Sequence, residues 1–512
     1  MADQNSQNSV ADLAYTYGYF RELSPAFLST VALSYGYDVK TGPALNYLEL
    51  GIGQGVSLVA HAAANQGGYW GNDYNHTHIA HAAELAAASG ASAHLLVDSF
   101  AELLARADMP TFDIIALHGI WSWVRPEDHD TIVEIARRKL SNNGLLYVSY
   151  NSRTGWAGSL PFRELMRLHA DTESATDAPV AEKIDAALNF VRGLSTSGAT
   201  YFRTHPRVLD LVKRMEHDSR DYLTHEFFGV DWVLASFAEI AERLREADLN
   251  YLGTAMLLRN HKSALSDEGR RIVAGLKSPA LQEAVRDAFI SAQFREDLFI
   301  KGQAARFSAA ERIARFRERR FFLAIPPHRA PARITGPRGD EIELSGDMRR
   351  LFAAMGAERH APKSIAQLEA ATGLSAETVI ESVLLMMGIG LAFAAQDRAA
   401  ADHVREQCRA LNGFLCARAK ENGNVGVLVA PELGAAIEVG RMGQLFVLAR
   451  QEGNGTHAAQ AAFVWRYLHK TGERLYRQGQ AIPPSESEAE LARMAAGFEA
   501  QLWPILQGAG IA

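Results

Sequence analysis

Apolar positions run through the first third of the chain in short blocks, and each block is followed by a stretch with helical spacing. The blocks at 45–50, 68–72, 93–97, 112–118 and 144–150 are short, apolar and bounded by turn residues, as buried strands are. Between them, 56–65, 76–88, 99–106 and 126–140 carry apolar residues at helical intervals. Alternation of this kind predicts a doubly wound, mainly parallel sheet covered on both faces, with ligands at the carboxyl ends of its strands. Upstream, Ser24-Pro25 reads as a cap with proline in the first turn, opening a helix to about Tyr35. Downstream, 179–215 is helical by pattern and forms an insertion, placed at about 160–218. A helix at about 231–246 and a late strand from Leu249 complete a first domain, 1–262.

The first strand ends in Tyr47-Leu-Glu-Leu-Gly-Ile-Gly-Gln-Gly, and Gly51, Gly53 and Gly55 stand at alternate positions before a helix. Such a turn takes torsions other residues resist and opens onto the free N–H groups of a helix start. Val56 stands where a dinucleotide fingerprint needs its third glycine, and no Lys-Ser or Lys-Thr follows as in a P-loop. Carboxylates close the first three strands. Glu49 precedes the turn, Asp73 ends the second strand at ribose distance along the sequence, and Asp98, with Ser99, ends the third at a place suited to an adenine edge. Asp98 also fits a helix cap.

The turn resembles the first motif of class I S-adenosylmethionine-dependent methyltransferases, in which an acidic residue precedes Gly-x-Gly-x-Gly. A carboxylate there suits a sulfonium and an amino-acid end better than a diphosphate. The resemblance widens with Tyr17-Gly-Tyr-Phe, Leu117-His-Gly-Ile-Trp-Ser-Trp, Tyr150-Asn-Ser-Arg-Thr-Gly-Trp and Asp221-Tyr-Leu-Thr-His-Glu-Phe-Phe. Together these look like bacterial methyltransferases with a methyltransferase regulatory domain, such as the rickettsial protein lysine methyltransferases that act on outer-membrane protein B. It covers about 14–260 well and the rest in architecture only.

That resemblance implies a Rossmann-like catalytic domain, S-adenosylmethionine as cofactor, S-adenosylhomocysteine as product, and a protein acceptor, an outer-membrane or surface protein among the candidates. Cofactor contacts fall on Glu49, Gly51, Gly53, Gly55, Asp73, Asp98, Ser99 and His118. The acceptor amine falls to Tyr15, Tyr17, Trp121, Asn151 and His225. Alternatives stay open at several of these. His118 reads first as a donor to the cofactor, and otherwise as a base or a core histidine. Tyr15, Tyr17 and Tyr19 form a lid or pack on the sheet edge, and Tyr222, His225 and Glu226 touch substrate or merely start a helix.

Beyond the first domain, 263–327 reads as a charged helical middle domain, with a capped helix at Ser278-Pro, and 325–333 as a proline-rich linker. From 328 to 512 follow three short helices and an apolar strand, winged-helix-like, then mainly helix. The expected recognition helix, 376–387, is aliphatic, with Glu377 and Glu381 its only charges, so nucleic acid is not expected. A net charge of -7 agrees with that.

Length, 512 residues, fits about three domains, and 48% hydrophobic with 22% charged residues is an ordinary globular composition. Two cysteines, Cys408 and Cys416, give neither a disulfide scaffold nor a zinc site. His76, His78 and His81 lack a carboxylate at ligand spacing, so no metal is expected. No run of about 18 apolar residues occurs and the first residues are polar, which makes a cytoplasmic protein without a membrane span the expectation. Other readings are a small-molecule N- or O-methyltransferase, whose C-terminal half serves regulation or homodimerisation, and a non-catalytic cofactor-binding protein. On these readings, removing the region after about Pro327 would separate protein from small-molecule methylation.

Overall fold

The structure, a computed structural model, describes residues 17–512 apart from 176, 219, 230–231 and 478–479; for 221, 222, 225 and 226 it describes the backbone alone. Helix α1 is Pro25–Ser34, and Ser24 caps it as expected, its side chain accepting from the Phe27 N–H. Strands β1 (Asn46–Leu50), β2 (Gly68–Asn72), β3 (Ala93–Leu96), β4 (Phe112–Leu117) and β5 (Leu140–Asn151) alternate with helices, including α2 (Val56–Ala64) and α3 (His76–Ser89). β6 (Leu249–Thr254) and β7 (Phe294–Lys301) complete a seven-stranded sheet of order β3-β2-β1-β4-β5-β7-β6, in which β7 alone runs antiparallel to its neighbours.

β7 corrects the expected domain division. The region from 263 onward, expected to be a helical middle domain, returns to the catalytic sheet and inserts between β5 and β6. Its two helices, Asp267–Gly275 and Pro279–Ile290, lead directly into that strand. The helical insertion also runs longer than expected. Leu160–Thr172, Val180–Thr196, Pro206–Met215 and Arg220–Phe228 share a small core of their own around Phe162, Met166, Leu188 and Leu223.

The C-terminal half begins with a three-stranded antiparallel sheet, Lys363–Ser364, Arg320–Leu323 and Ala392–Ala395, beside the helices Gly346–His360, Ile365–Thr372 and Ala376–Gly388. This is the winged-helix-like arrangement. Among the described residues no single helix is long and apolar enough to cross a membrane, and the one bent pair that passes on composition, Ile365–Thr372 with Ala376–Gly388, packs its apolar residues into the core. A hairpin, Val427–Ala430 with Ala435–Glu438, and the long helix Arg398–Arg418 follow.

These last two elements decide how the halves relate. All nine residues of α2 are buried, because the sheet covers one side and the C-terminal half the other. The Cys408 thiol donates to the Ala63 carbonyl at 3.3 Å, Gln396 to Ala64 at 2.9 Å and Asn65 to Gly434 at 2.7 Å. An all-round buried helix needs a partner on each side. A chain ending after Pro327 is therefore expected to be insoluble, or to melt more than about 10 °C below the full chain in a thermal scan. Unchanged melting of the shortened chain would show the halves to be independent.

Candidate active site

The turn after β1 has the torsions its glycines suggest: φ is +69° at Gly51, +52° at Gly53 and +72° at Gly55. Two of the three are also required by packing. A Cβ on Gly51 would lie 2.3 Å from Ile120 Cδ1, and one on Gly55 would lie 2.4 Å from the Ala82 Cβ. Gly53 is held differently, its N–H donating to Asp73 Oδ2 at 2.9 Å. The other Asp73 oxygen accepts from the Asn75 N–H at 2.9 Å and lies 3.2 Å from His78 Nδ1. Asp73 thus closes the turn from the end of β2, and a carboxylate has lone pairs left for ribose hydroxyls.

Glu49 and Asp98 differ sharply in their surroundings. Glu49 is 4% exposed, with one long hydrogen bond, from Tyr47 Oη at 3.5 Å. Among the described residues no Lys, Arg or His pairs with it, and burial pushes its carboxyl up to about 8. Asp98 is paired with Arg106 at 3.1 Å. The cap of the next helix is Ser99, not Asp98: Ser99 and Glu102 form a reciprocal capping box in which the Ser99 N–H and hydroxyl both donate to Glu102.

At the end of β4, His118 sits in a nest of rings. Its centroid is 4.0 Å from Phe20, 5.7 Å from Phe294 and 5.9 Å from Tyr147, whose hydroxyl is 2.8 Å from His118 Nδ1. Burial pushes its imidazole down to about 4, so it is neutral at pH 7. Strand register puts these groups on one face. Glu49 pairs with Ala116, Ala116 with Tyr147 and Tyr147 with Leu298, while one step further along come Ser149 and Glu296.

The other expected contacts divide. Tyr17 packs edge-on against His81 of α3 at 5.0 Å, beside the Gly turn, since His81 Nδ1 is 2.8 Å from the Gln54 carbonyl. Asn151 ends β5 on the Tyr147 and Ser149 side, its N–H bonded to Ser122 Oγ at 2.8 Å. The structure does not bring Trp121 to the site. It is 2% exposed, stacks on His129 at 4.4 Å and belongs to the core on the opposite face of the sheet. Tyr15 lies outside the described residues; His225 lies on Arg220–Phe228 of the insertion, with its side chain undescribed. Among the described residues no group of His, Cys, Asp and Glu is placed to hold a metal. A polar cavity of about 300 Å³ lined by Asp38, Lys40, Asp113 and 141–144 lies at the other end of the strands, away from this chemistry.

Phe294 and Glu296 have no place in the sequence-based reading, in which this charged stretch is helical. The alternation Phe294, Glu296, Leu298 was the available signal, obscured by the charges between them.

The model of the family described as a methyltransferase domain matches residues 48–144, and that of the predicted methyltransferase regulatory domain matches 219–301. An uncharacterised protein of Synechocystis is 30% identical over 99% of both chains. This chain belongs to the S-adenosylmethionine-dependent methyltransferases that carry a methyltransferase regulatory domain. Another relative, an uncharacterised protein of Rickettsia prowazekii, is 28% identical over 49% of this methyltransferase and 44% of its own length. Among solved structures, PKMT2 from Rickettsia typhi in complex with AdoHcy is similar in fold, with a TM-score of 0.69 and 17% identity over 94% of this chain and 97% of that one. The likeness in fold thus covers both the seven-stranded sheet and the C-terminal half of the methyltransferase.

The cofactor fits the residues present on one observation: Glu49 is a buried carboxyl without a counter-charge, and a ligand with an amino-acid end brings one. In the free protein, the stability contributed by the protonated Glu49 is complete below about pH 4.5 and is lost as the pH climbs toward 8. Glu49→Gln is expected to remove that slope, melting above the wild type by several degrees at pH 8.5 and close to it at pH 4.5 in parallel thermal scans. A variant that tracks the wild type across this range would show Glu49 to be solvated.

Proposed function

We propose that this methyltransferase transfers a methyl group to an amino group of a protein, in the simplest case a lysine side chain. The observation that carries the reading is the ring nest around His118 beside two carboxyls that pair with no cation among the described residues, Glu49 and Glu296, on one face of the sheet. Aromatic faces and lone carboxylates attract a cation, and a dry setting lowers the pKa of an ammonium, about 10.4 for free lysine, toward the neutral amine that reacts. The likeness in fold to PKMT2 along almost the whole chain supports a protein acceptor, as does the extent of surface beyond the catalytic sheet.

In this reading Gly51, Gly53 and Gly55 line the cofactor's amino-acid end and Glu49 accepts its ammonium. Asp73 accepts the ribose hydroxyls while holding Gly53. Asp98 reaches the adenine edge while keeping Arg106, and Ser99 can do so only if its box with Glu102 opens. His118, neutral and held by Tyr147, orients groups at the methyl end. Bound there, the cofactor supplies the methyl group. Tyr17 and Asn151 stand on either side of the approach, and Tyr15 and His225 remain candidates for the acceptor channel.

Truncation does not separate protein from small-molecule methylation, because it strips α2. Labelled S-adenosylmethionine incubated with the full chain and a whole-cell extract does. Label is expected in discrete protein bands. Asp73→Ala, which frees the Gly53 and Asn75 N–H groups, is expected to weaken cofactor binding at least about tenfold. Label confined to small molecules would refute a protein acceptor.

A further inference from the structure

We propose that Glu296 is the carboxylate that holds the acceptor's ammonium and takes its proton before methyl transfer. The inference rests on amine methylation as argued above and adds the group that makes the amine reactive.

Glu296 is the third residue of β7, and the sheet register gives its neighbour on β5. Ser149 of β5 pairs with it directly. On the other side of Ser149 stands His118, since Leu117 pairs with Val148 and the Gly119 N–H donates to Ser149 Oγ at 2.7 Å. His118, one residue beyond β4, Ser149 and Glu296 therefore continue one row across the sheet. At about 4.8 Å per strand, the outer two lie about 10 Å apart at their backbones, with Ser149, fully buried, between them and the His118 and Phe294 rings 5.7 Å apart above it. Phe294 and Leu298 flank Glu296 on the same face, and Phe20 roofs His118 from the N-terminal segment. The row lies at the carboxyl ends of β4 and β5, next to the strand that leads into the Gly turn.

The carboxylate of Glu296 has no hydrogen bond or ion pair among the described residues, although charged and titratable groups lie near it, Asp297 among them on the other face of the strand. Glu22 and Arg21 come from the N-terminal segment, Arg259 from the turn Leu257–Asn260, Tyr147 from β5, and Asp297 from its own strand. Both arginines are engaged elsewhere. Arg21 bonds Glu22 at 2.9 Å and the Met387 carbonyl at 2.7 Å; Arg259 bonds Asp287 and the Phe294 carbonyl. The Glu296 main-chain carbonyl accepts from Thr254 and Ala255, so β7 is fixed while its side chain stays free.

Burial, then the nearby Glu22, pushes the Glu296 carboxyl up to about 8, where a base works best at physiological pH. The alternatives serve less well. His118, near 4, is too weak a base for an ammonium; Tyr147 is pushed up by burial and stays protonated; Glu22 is spent on Arg21.

The step balances without a further reactant. The ammonium gives one proton to the Glu296 carboxylate. The lone pair so freed on nitrogen forms the new N–C bond as the methyl carbon's bond to sulfur breaks, its electron pair remaining on sulfur. The product is a methylammonium, and the proton leaves Glu296 for solvent.

The test is Glu296→Gln in the full chain, with labelled S-adenosylmethionine and a whole-cell extract between about pH 6 and 10. S-adenosylhomocysteine binding and thermal melting are followed alongside. The wild-type rate is expected to rise with pH and level off above about 8. The variant is expected to bind S-adenosylhomocysteine normally, melt no lower, label protein at least about 100-fold more slowly near pH 7.5, and recover toward pH 10 as free amine becomes abundant. Glu296→Asp should retain part of the rate. Wild-type rates and pH profile in Glu296→Gln would overturn the proposal, as would a loss that high pH does not restore, or one that follows weakened S-adenosylhomocysteine binding. If the wild type itself labels no protein, amine methylation of proteins fails first and this role falls with it.

Discussion

The burial of one nine-residue helix governs the architecture. α2 starts at the Gly turn and has no solvent-facing side, so its two polar side chains can bond only within the protein. Ser57 accepts the Phe20 N–H at 2.8 Å, and His61 Nε2 lies 3.2 Å from the Tyr19 hydroxyl, which also accepts from the Ala436 N–H at 2.7 Å. The N-terminal aromatic segment is thereby stapled to the helix and, through Tyr19, to the hairpin of the C-terminal half. Burial holds His61 near 3 and raises Tyr19 far above its ordinary range, so neither ionises at neutral pH. The element that opens the cofactor turn is thus also the joint between the halves of the chain, and Phe20 reaches His118 because this staple holds it there.

β7 shows how one strand can serve two faces of opposite chemistry. Its odd residues, Arg295 and Asp297, point into a buried ionic cluster: Arg295, 1% exposed, bonds Asp297 at 2.8 Å, Asp287 at 2.7 Å and Glu283 at 2.9 Å, and Tyr150 donates to Asp297 at 2.7 Å. Buried charges persist only when paired and hydrogen-bonded, and this network meets that condition. The even residues, Phe294 and Glu296, face the proposed site, where Glu296 has no such partner among the described residues. The regulatory-domain match, 219–301, spans β6, β7 and the carboxylates of the cluster, so this region is part of the seven-stranded sheet and, on the proposed reading, one wall of the site.

Much of this was legible where local pattern and tertiary structure agree. The five alternating strands, the Gly turn, the Ser24 cap and the placement of Asp73 all follow from residues whose local preferences the fold keeps. β7 was hidden because four of its eight residues are charged, and only the distant Asp287 and Glu283 make such a strand buriable. Trp121 misled for a related reason. An aromatic at a strand end resembles a site wall, but here His129, eight residues on, stacks on it and donates to its carbonyl, turning the ring into the far core. The hairpin 427–438 escaped notice because what it packs against, α2, is nearly 400 residues earlier in the chain.

The charge state of the site follows from the same burial. Glu49 and Glu296, both near 8, are largely protonated at neutral pH, and His118, near 4, is unprotonated, so this face of the sheet is close to uncharged without ligands. A cation entering the site favours the ionised carboxylate and displaces a proton into solvent. Complementarity to a sulfonium, an ammonium or both thus arises on binding, and its cost is the desolvation already imposed by the fold. A site built from permanently ionised carboxylates would need resident cations to stay folded, and those cations would occupy the places the ligands need.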